Sequence, residues 1–537
     1  MRIKIYLLTL ALSTAANGFA QERLDIPQPC QMHEQATPTP TIALTRATAD
    51  KHYVIPVVFH VFGTDFNGKH VTRELIEDAL RRTNDDFNAR TTGDLRSGDD
   101  DPQFDKLSTP LDIEFRLAEI GPNGEATTGI VFHRLESGFG VYNPPKMQKY
   151  AWDNKKYMNV YIMNDLYGDG VTNNSGVSWY PNWEMTRFKL ARVVYNGAYL
   201  GSNTDENFRR VLTHEFGHFL NLAHTFDFDN TKFPDGCHKG FHGEANPGDY
   251  VDDTPPADRQ QMGPNDVNCL GEKTNWTNYM NYSYVRTSMF TKGQVNRMLA
   301  ALQDKSRSCL WSDATHAKVF LPDASHPRVV LESKQELFPK DVKGNYDVTV
   351  ALRVIGASAK QGPLTAGTDF TVEGLPDGLT ASATGDGQMI QLHVKGMVTL
   401  GADKKFFVTI QPSATTAPDC YVGRQPLTIA CDYVESELAT AIKRGVETAD
   451  GSRVAWAGNG DVTVTAPRGA RVAVHNVYGE ALVVAHVADR ALTLSLGGYG
   501  HGVYIVSVTS SCGTKSYKIV LVSAKNGNHI KILPRCQ

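Results

Sequence analysis

The segment at residues 214–224 constrains this chain more than any other part of its sequence, and it reads His-Glu-Phe-Gly-His-Phe-Leu-Asn-Leu-Ala-His. His214 and His218 are four residues apart, so on a helix their imidazoles project side by side. Two imidazoles one turn apart can bind one zinc ion. Glu215 lies on the flank of the same helix, where its carboxylate can reach a water molecule beside the metal instead of the metal itself.

A helix is predicted to carry this segment. Asn203 can cap its first turn, and Glu206, three residues later, can return the hydrogen bond. The apolar stripe of this helix is predicted at residues with helical spacing, namely Phe208, Val211, Leu212, Phe216 and Phe219.

His224 is too far along the chain to stay on the same helical face, so a sharp turn must return it to the metal. Such a turn usually needs a positive φ, which asparagine tolerates better than most residues, and Asn221 occupies the turn position. Three histidines leave the fourth tetrahedral position of zinc open, as in catalytic sites. The alternative, a chance occurrence on a core helix, is expected in roughly one chain in a thousand of this length.

The pattern His-Glu-x-x-His-x-x-Asn-x-x-His matches the extended motif of the metzincins, in which the glycine of the turn is sometimes asparagine. Over residues 50–300 the sequence resembles the pappalysin-like, or cytophagalysin, metallopeptidases. The resemblance implies a zinc endopeptidase that acts on proteins or peptides, with a twisted, mostly parallel sheet and an active-site helix. The segments that follow this family's order are Ile55–Val61, His224–Phe226, Gly236-Cys237, Gly248–Pro255, Cys269, Asn278–Tyr282 and Phe290–Met298.

The resemblance also assigns roles that spacing alone would not suggest. Met280 is implied to form the methionine turn beneath the zinc, and Tyr282 is implied to steady the tetrahedral intermediate. In the implied mechanism zinc polarises the scissile carbonyl and lowers the pKa of its water. Glu215 takes the proton of that water and passes it to the leaving amine.

Specificity is where this chain is expected to depart from the family. Well-studied pappalysin-like enzymes cut before Arg or Lys, which requires an acidic residue in a pocket formed in part by the segment after Met280. Here residues 283–288 contain no Asp or Glu, and Arg286 is the only charge among them. Arg286 is therefore predicted to disfavour basic side chains after the cleaved bond. The alternative is that Arg286 points to solvent or pairs with a distant carboxylate.

Calcium is a second candidate metal. Asp249, Asp252, Asp253 and Thr254 supply hard oxygens within a short stretch. Pappalysin-like enzymes bind calcium near this position, so the resemblance favours the same role here. The alternative interpretation is a solvated acidic loop.

The first residues predict export. Arg2 and Lys4 precede an apolar run and then small residues, which is the order of a signal peptide at residues 1–20. No later segment approaches the roughly 18 apolar residues of a membrane span. The net charge of -4 offers no basic surplus for nucleic acid. The mature protein is expected to be secreted or held at a bacterial cell surface.

Export places the eight cysteines in an oxidising compartment, where pairing is the default expectation. Four of them are Cys30, Cys309, Cys512 and Cys536, and their connectivity is open. The other four are predicted to pair with the partner nearest in sequence, as Cys237–Cys269 and Cys420–Cys431.

A prosegment is predicted at residues 21–50, which are rich in proline and poor in apolar residues. The thiolate of Cys30 could fill the open zinc position and keep the enzyme latent until the segment is removed. The alternatives are a structural disulfide, with Cys309 as one candidate partner, and a blocking role for Asp25 instead.

Residues 51–312 are predicted to form the catalytic domain, of α/β or α+β class. The β-branched and aromatic run at residues 53–62 predicts a buried strand, and the spacing at 71–88 predicts a helix. Further strands are predicted at 112–120, 156–163 and 191–197. Two all-β domains are predicted to follow, an immunoglobulin-like β-sandwich at 313–432 and a β domain at 433–537.

The last domain resembles the sorting domain of the type IX secretion route, which implies contact with an outer-membrane secretion machinery. The resemblance rests on Val477–Glu480, Leu496–Val508 and Lys515–Val520. The chain departs from that pattern because it continues from Ser523 to Gln537 after the last predicted strand. A plain accessory β-sandwich is the alternative.

A surface adhesin with an inert protease-like domain is the alternative function. In that case the β domains would bind a host or matrix ligand. The presence of Glu215 argues against it, because an inactive relative would be free to lose the catalytic base.

Overall fold

The structure is a computed structural model of the full chain. The residues that it describes are 51–63, 65–90, 101–206, 208–226, 249–255, 257, 263–268, 271–283, 286–341, 343–398, 401–430, 446–447, 453–458, 461–476, 481–496, 502–510, 513–524 and 527–534. The predicted signal peptide and prosegment, with Cys30, lie outside these residues. Among the described residues, no helix combines the length and the apolar character that crossing a bilayer requires.

A mixed β-sheet organises the first part of the chain. Its central strand β1, Tyr53–Phe62, consists almost entirely of β-branched and aromatic residues, and every one of them is buried. The sheet order is β4-β1-β6-β8-β7, with β5 paired to the second half of β1, and every pairing is parallel except that of β7 with β8. The strands predicted at 112–120, 156–163 and 191–197 are confirmed with shorter bounds, as β4 Ile113–Leu117, β6 Met158–Ile162 and β8 Arg192–Tyr195. The sequence did not predict β5, Ile130–His133, or β7, Gly176–Ser178. A small hairpin, β2 Asp65–Phe66 and β3 Lys69–His70, follows β1.

The helix predicted at 71–88 is present as α1, Arg73–Phe87. Thr72 caps it by accepting a hydrogen bond from the amide of Leu75, and its apolar residues pack into the core beside the sheet. The remaining helices of this region are α2 Pro102–Asp105, α3 Pro144–Tyr150, α4 Trp183–Arg187, α5 Val211–Phe219, α6 Lys292–Gln303, α7 Lys305–Ser308 and α8 Asp313–Val319.

The start of α5, the helix that carries the histidine segment, was predicted wrongly. Asn203 lies in a separate 3₁₀ turn, Gly201–Asn203, where its amide nitrogen donates to the carbonyls of His70 at 3.0 Å and Gly197 at 2.8 Å. The helix begins instead after a second 3₁₀ turn, Phe208–Arg210, and no side chain caps it. Asn203 is unavailable as a cap because its side chain is used to hold the preceding loop together.

Two further sheets follow α8. One has the order β12-β14-β15-β11-β9, and the other has the order β10-β17-β16-β13. Along most of their strands, buried side chains alternate with more exposed ones, as in packed β-layers. The strands are β9 Arg328–Leu331, β10 Glu336–Leu337, β11 Asn345–Ile355, β12 Gly362–Leu364, β13 Phe370–Glu373, β14 Leu379–Gly385, β15 Met389–Met397, β16 Lys404–Ile410 and β17 Arg424–Ile429.

These sheets pack directly on the part of the chain that contains the mixed sheet. The hydroxyl of Tyr421 donates to the carbonyl of Gly124 at 2.9 Å, and Nε2 of Gln425 donates to the carbonyl of Ala126 at 2.6 Å. Between those two carbonyls lies Glu125, which is 3% exposed and whose carboxyl pKa is raised by burial. Gly423 allows the close approach, because a Cβ there would lie 2.7 Å from the amide nitrogen of Ala126.

The chain divides into two compact units. The first runs to Leu337 and includes Asp347–Ala430, so the mixed sheet and the first β region belong to one unit. The second comprises Phe338–Tyr346 and the chain from Cys431 onward. The domain bounds predicted at residues 312 and 432 stay predictions.

The second unit contains two sheets, β18-β19-β20-β23 and β22-β21-β24-β25-β26, around a core of valine and leucine residues. The last strand, β26, pairs with β25 in a hairpin, so the stretch predicted to follow the final strand contains a further strand. The sorting role stays a prediction. The strands are β18 Val446–Glu447, β19 Arg453–Gly458, β20 Asp461–Thr465, β21 Arg471–Asn476, β22 Ala481–His486, β23 Ala491–Ser495, β24 Gly502–Ser510, β25 Gly513–Ala524 and β26 Gly527–Pro534.

Cys420 is a free, buried thiol in the structure, contrary to the predicted Cys420–Cys431 disulfide. Its sulfur lies 4.0 Å from the carbonyl oxygen of Tyr421, and burial raises the pKa of the thiol. Cys431 lies outside the described residues, as do Cys237 and Cys269. The Cys237–Cys269 pairing stays a prediction.

Candidate metal centre

Three imidazoles meet at the end of α5. Nε2 of His218 lies 2.9 Å from Nε2 of His214 and 3.2 Å from Nε2 of His224. All three side chains are at least 95% buried. Within the described part of the chain, these are the only His, Cys, Asp or Glu side chains that form such a group of three, and their ligand atoms lie within 4.8 Å of one another.

The opposite ring nitrogens are fixed by backbone carbonyls. Nδ1 of His214 lies 2.7 Å from the carbonyl oxygen of Tyr279, and Nδ1 of His218 lies 2.6 Å from that of Leu222. A carbonyl can only accept, so these nitrogens carry the protons and the Nε2 lone pairs face each other. Burial, reinforced by the neighbouring imidazoles, lowers the pKa of His214 to about 3 and that of His218 well below its usual range. Neutral imidazoles whose other ring nitrogen donates to a carbonyl are the arrangement that binds zinc.

A tight turn returns His224 to this cluster. Asn221 has a φ of 75°, and its amide donates to the carbonyl of His218 at 2.8 Å. The amide of Leu222 donates to the carbonyl of Gly217 at 3.0 Å, which closes the helix end. The residue that the sequence suggested for the turn therefore lies in it with positive φ.

Met280 lies beneath the cluster and is fully buried. A Cβ at Gly217 would lie 2.6 Å from the Met280 sulfur, so the glycine of α5 is needed for this contact. The carbonyl of Met280 accepts from the amide of Thr225 at 3.2 Å, which ties the methionine turn to the residue after His224. The hydroxyl of Tyr282 lies 3.2 Å from Nε2 of His224, so both residues named from the resemblance are at the centre.

The carboxylate of Glu215 is fully buried on the other flank of the helix. It lies against the backbone of Gly176, where a Cβ would approach Oε1 to 2.6 Å. Gly176 begins β7, which forms one end of the described sheet order. The acid is thereby placed against the edge strand of the sheet, and sequence reasoning missed Gly176 because no local pattern marks it.

Aromatic rings enclose the imidazoles. Phe226 stacks on His224 with ring centroids 4.6 Å apart and an interplanar angle of 11°. Tyr180 meets His218 edge-on at 5.8 Å. Tyr180 was also missed, because a lone aromatic residue in a loop carries no spacing signal.

A buried polar network connects α5 to α1. Oδ1 of Asp86 accepts from the guanidinium of Arg210 at 2.5 Å and from the hydroxyl of Tyr279 at 2.9 Å, and Oδ2 accepts from the hydroxyl of Thr213 at 2.7 Å. Each of these four residues is at least 94% buried. Because the carbonyl of Tyr279 holds His214, the network connects α1 to the position of a candidate ligand. None of its members was singled out from the sequence.

The acidic stretch proposed for calcium makes protein contacts. The hydroxyl of Thr254 donates to Asp249, and Asp252 is exposed. Oδ1 of Asp253 accepts from the hydroxyl of Thr291 at 2.6 Å, and Oδ2 accepts from the amide of Gly293 at 2.8 Å. Asp253 thus holds the start of α6, and calcium binding here stays a prediction without structural support.

Arg286 is 8% exposed, which excludes the alternative that it points freely to solvent. Its role in specificity stays a prediction.

Comparisons with known proteins agree with a metallopeptidase. Residues 142–303 match the profile of peptidase family M43, described as pregnancy-associated plasma protein-A. An extracellular metalloprotease of Arthroderma otae is 36% identical over 154 residues, which are 27% of this chain and 51% of that protein. One of Neurospora crassa is 25% identical over 326 residues, which are 56% of this chain and 95% of that protein. The chain thus spans about half the length of the first relative and nearly all of the second.

Among solved structures, the chain is similar to mature mirolysin of Tannerella forsythia in complex with a cleaved peptide. The TM-score is 0.41 and the identity 24%, over 51% of this chain and all of that one. A promirolysin mutant of the same organism gives a TM-score of 0.42 and an identity of 23%, over 52% of this chain and 89% of that one. The profile match includes all three histidines, so the similarity to metallopeptidases extends over the candidate metal centre.

Proposed function

We propose that this protein is an exported zinc endopeptidase that hydrolyses peptide bonds in proteins. The observation that carries the proposal is the convergence of three buried imidazoles, two of which are anchored by backbone carbonyls, next to a buried glutamate. The extracellular metalloproteases similar to this chain and the signal-like first residues favour export. Latency through Cys30 and sorting through the last β domain belong to the same proposal.

Each residue has a distinct role in the proposed reaction. His214, His218 and His224 hold the metal, and zinc, when bound, supplies a Lewis acid that polarises the scissile carbonyl and lowers the pKa of water. Glu215 accepts the proton of the attacking water and passes it to the leaving amine. Tyr282, with its hydroxyl 3.2 Å from Nε2 of His224, donates a hydrogen bond to the substrate oxygen as it becomes negative.

The edge strand β7 suggests how a peptide is held. A strand at a sheet edge has backbone groups that can pair with an extended chain. Since Gly176 of β7 lies against the carboxylate of Glu215, a peptide paired there would place its backbone next to the catalytic base. Extended polypeptides are therefore the substrate class that the site suits best.

Metal analysis and a peptide-library screen of the purified protein test this proposal together. We expect about one zinc per chain and hydrolysis that a chelator abolishes and added zinc restores, because three histidines leave an open catalytic position. Bound zinc without hydrolysis of any peptide would favour the alternative of an adhesin with an inert protease-like domain. A protein that neither binds zinc nor cleaves peptides would contradict the proposal.

Specificity can be tested at Arg286. We expect the wild type to disfavour Arg or Lys after the cleaved bond, and Arg286→Asp to raise kcat/KM for such substrates about tenfold relative to leucine, because opposite charge replaces like charge. Arg187→Asp, which changes an arginine that is exposed on α4, serves as the control and should leave the profile unchanged. A wild-type cleavage profile dominated by bonds before Arg or Lys would restore the ordinary family specificity.

A further inference from the structure

Two arginines from the helices after the methionine turn bind the carboxyl end of α5. Nε of Arg307 donates to the carbonyl of Phe219 at 2.9 Å, and Nε of Arg297 donates to the carbonyl of Asn221 at 2.6 Å. Carbonyls at a helix end have no partner within the helix and form the negative end of its dipole. The guanidinium of Arg307 therefore satisfies a carbonyl of the helix end, and that of Arg297 binds a carbonyl of the turn that follows.

The two contacts lie on opposite sides of the point where the helix ends. Arg307 binds the last residue of the helix and also donates to the carbonyl of Trp179 at 3.1 Å, so it ties the helix to the chain after β7. Arg297 binds the turn itself, at the one residue with positive φ between His218 and His224. Of the two arginines, Arg297 is the one that contacts the backbone between His218 and His224.

The segment that contains the acidic residues 249–254 contacts both Arg297 and the first turn of its helix. Its guanidinium carbon lies 4.9 Å from the ring centroid of Tyr250, and Asp253 anchors the first turn of α6, the helix that carries Arg297. Burial lowers the pKa of Arg297, and nearby groups including Asp249 oppose that shift. The donor is thus held in place by contacts within the protein.

We propose that Arg297 is a positioning residue for the third zinc ligand. Its bond to the carbonyl of Asn221 stabilises a φ of 75°, which costs a residue other than glycine conformational free energy. With that turn held, Nε2 of His224 lies 3.2 Å from Nε2 of His218. The proposal rests on the proposed zinc site. It implies that α6, through Arg297, increases the affinity of that site for zinc.

The test is a double-mutant cycle on zinc affinity. Dissociation constants are measured with zinc ions and a competing chelator for the wild-type full chain, Arg297→Met, His224→Ala and the double variant. We expect Arg297→Met to weaken zinc binding 10- to 100-fold, the usual effect of removing a group that orients a ligand. In the His224→Ala background the same change should have almost no effect, because there is no third ligand to position.

The controls separate positioning from general support of the fold. Lys292→Met removes an exposed cation from the same helix and should leave zinc affinity unchanged. Arg297→Lys keeps the charge and one donor, and it should lose less affinity than Arg297→Met. If Arg297→Met does not fold, Arg297→Lys takes its place in the cycle with the same expected dependence on His224.

Two outcomes would overturn the proposal while the zinc site stands. One is unchanged affinity in Arg297→Met, and the other is an equal loss with and without His224, which would indicate a structural role only. A wild type that binds no zinc would instead overturn the proposed function and this inference with it.

Discussion

Replacing Glu215 with alanine is expected to abolish peptide hydrolysis while leaving about one zinc ion bound per chain. The three imidazoles hold the metal, whereas the carboxylate moves the proton, so the change removes the chemistry and keeps the ligands. A positioned general base contributes about 10²- to 10⁴-fold, and a fall of kcat by about a thousandfold or more is expected. Metal analysis and steady-state kinetics on one preparation measure both quantities.

Two further variants sharpen this test. Glu215→Gln keeps the shape of the side chain but cannot accept the proton, so it should be as inactive as the alanine variant. Glu184→Ala changes an exposed glutamate on α4 and should retain full activity. Near-full activity in Glu215→Ala would show that another group is the base, and loss of zinc would show that Glu215 helps to bind the metal.

Asp86→Ala is expected to lower the free energy of unfolding by about 3–5 kcal/mol, because it leaves the buried cation of Arg210 without its carboxylate. The same change removes the acceptors of Thr213 and Tyr279. Denaturant unfolding of the metal-free protein measures the effect without the contribution of bound zinc.

The neighbouring Asp85 provides the control. It pairs with Arg81 on the exposed side of α1, so Asp85→Ala should cost only about 0.5 kcal/mol or less. Combining Asp86→Leu with Arg210→Met should recover part of the stability, since it replaces a buried ion pair with apolar groups. Equal effects of Asp85→Ala and Asp86→Ala would contradict a special role for the buried network.

Local sequence patterns were sufficient to predict much of the region that holds the candidate metal centre. The apolar run of β1 and the spacing of α1 are each encoded within one segment, and both elements are where the sequence predicted them. The spacing of His214, His218 and His224 and the tolerance of Asn221 for positive φ are likewise local. These features could be read from the sequence because each depends on residues a few positions apart.

The supporting contacts could not be read in the same way. Asp86 and Tyr279 are 193 residues apart, and nothing near either residue indicates the other. The cap assigned to Asn203 failed because tertiary contacts with the preceding loop use its side chain. The free thiol of Cys420 shows that proximity in sequence is a weak guide to pairing.

The close packing over Glu125 limits where a shortened fragment of this protein can end without exposing buried polar groups. A fragment that ends at residue 312 would lack Tyr421, Gly423 and Gln425, and it would leave a buried acid and two backbone carbonyls facing water. Ending the fragment at residue 430 keeps everything that covers them. The first β region therefore belongs to the same unit as the histidine cluster, and a fragment limited to the segment that holds the motif would expose groups that the whole unit buries.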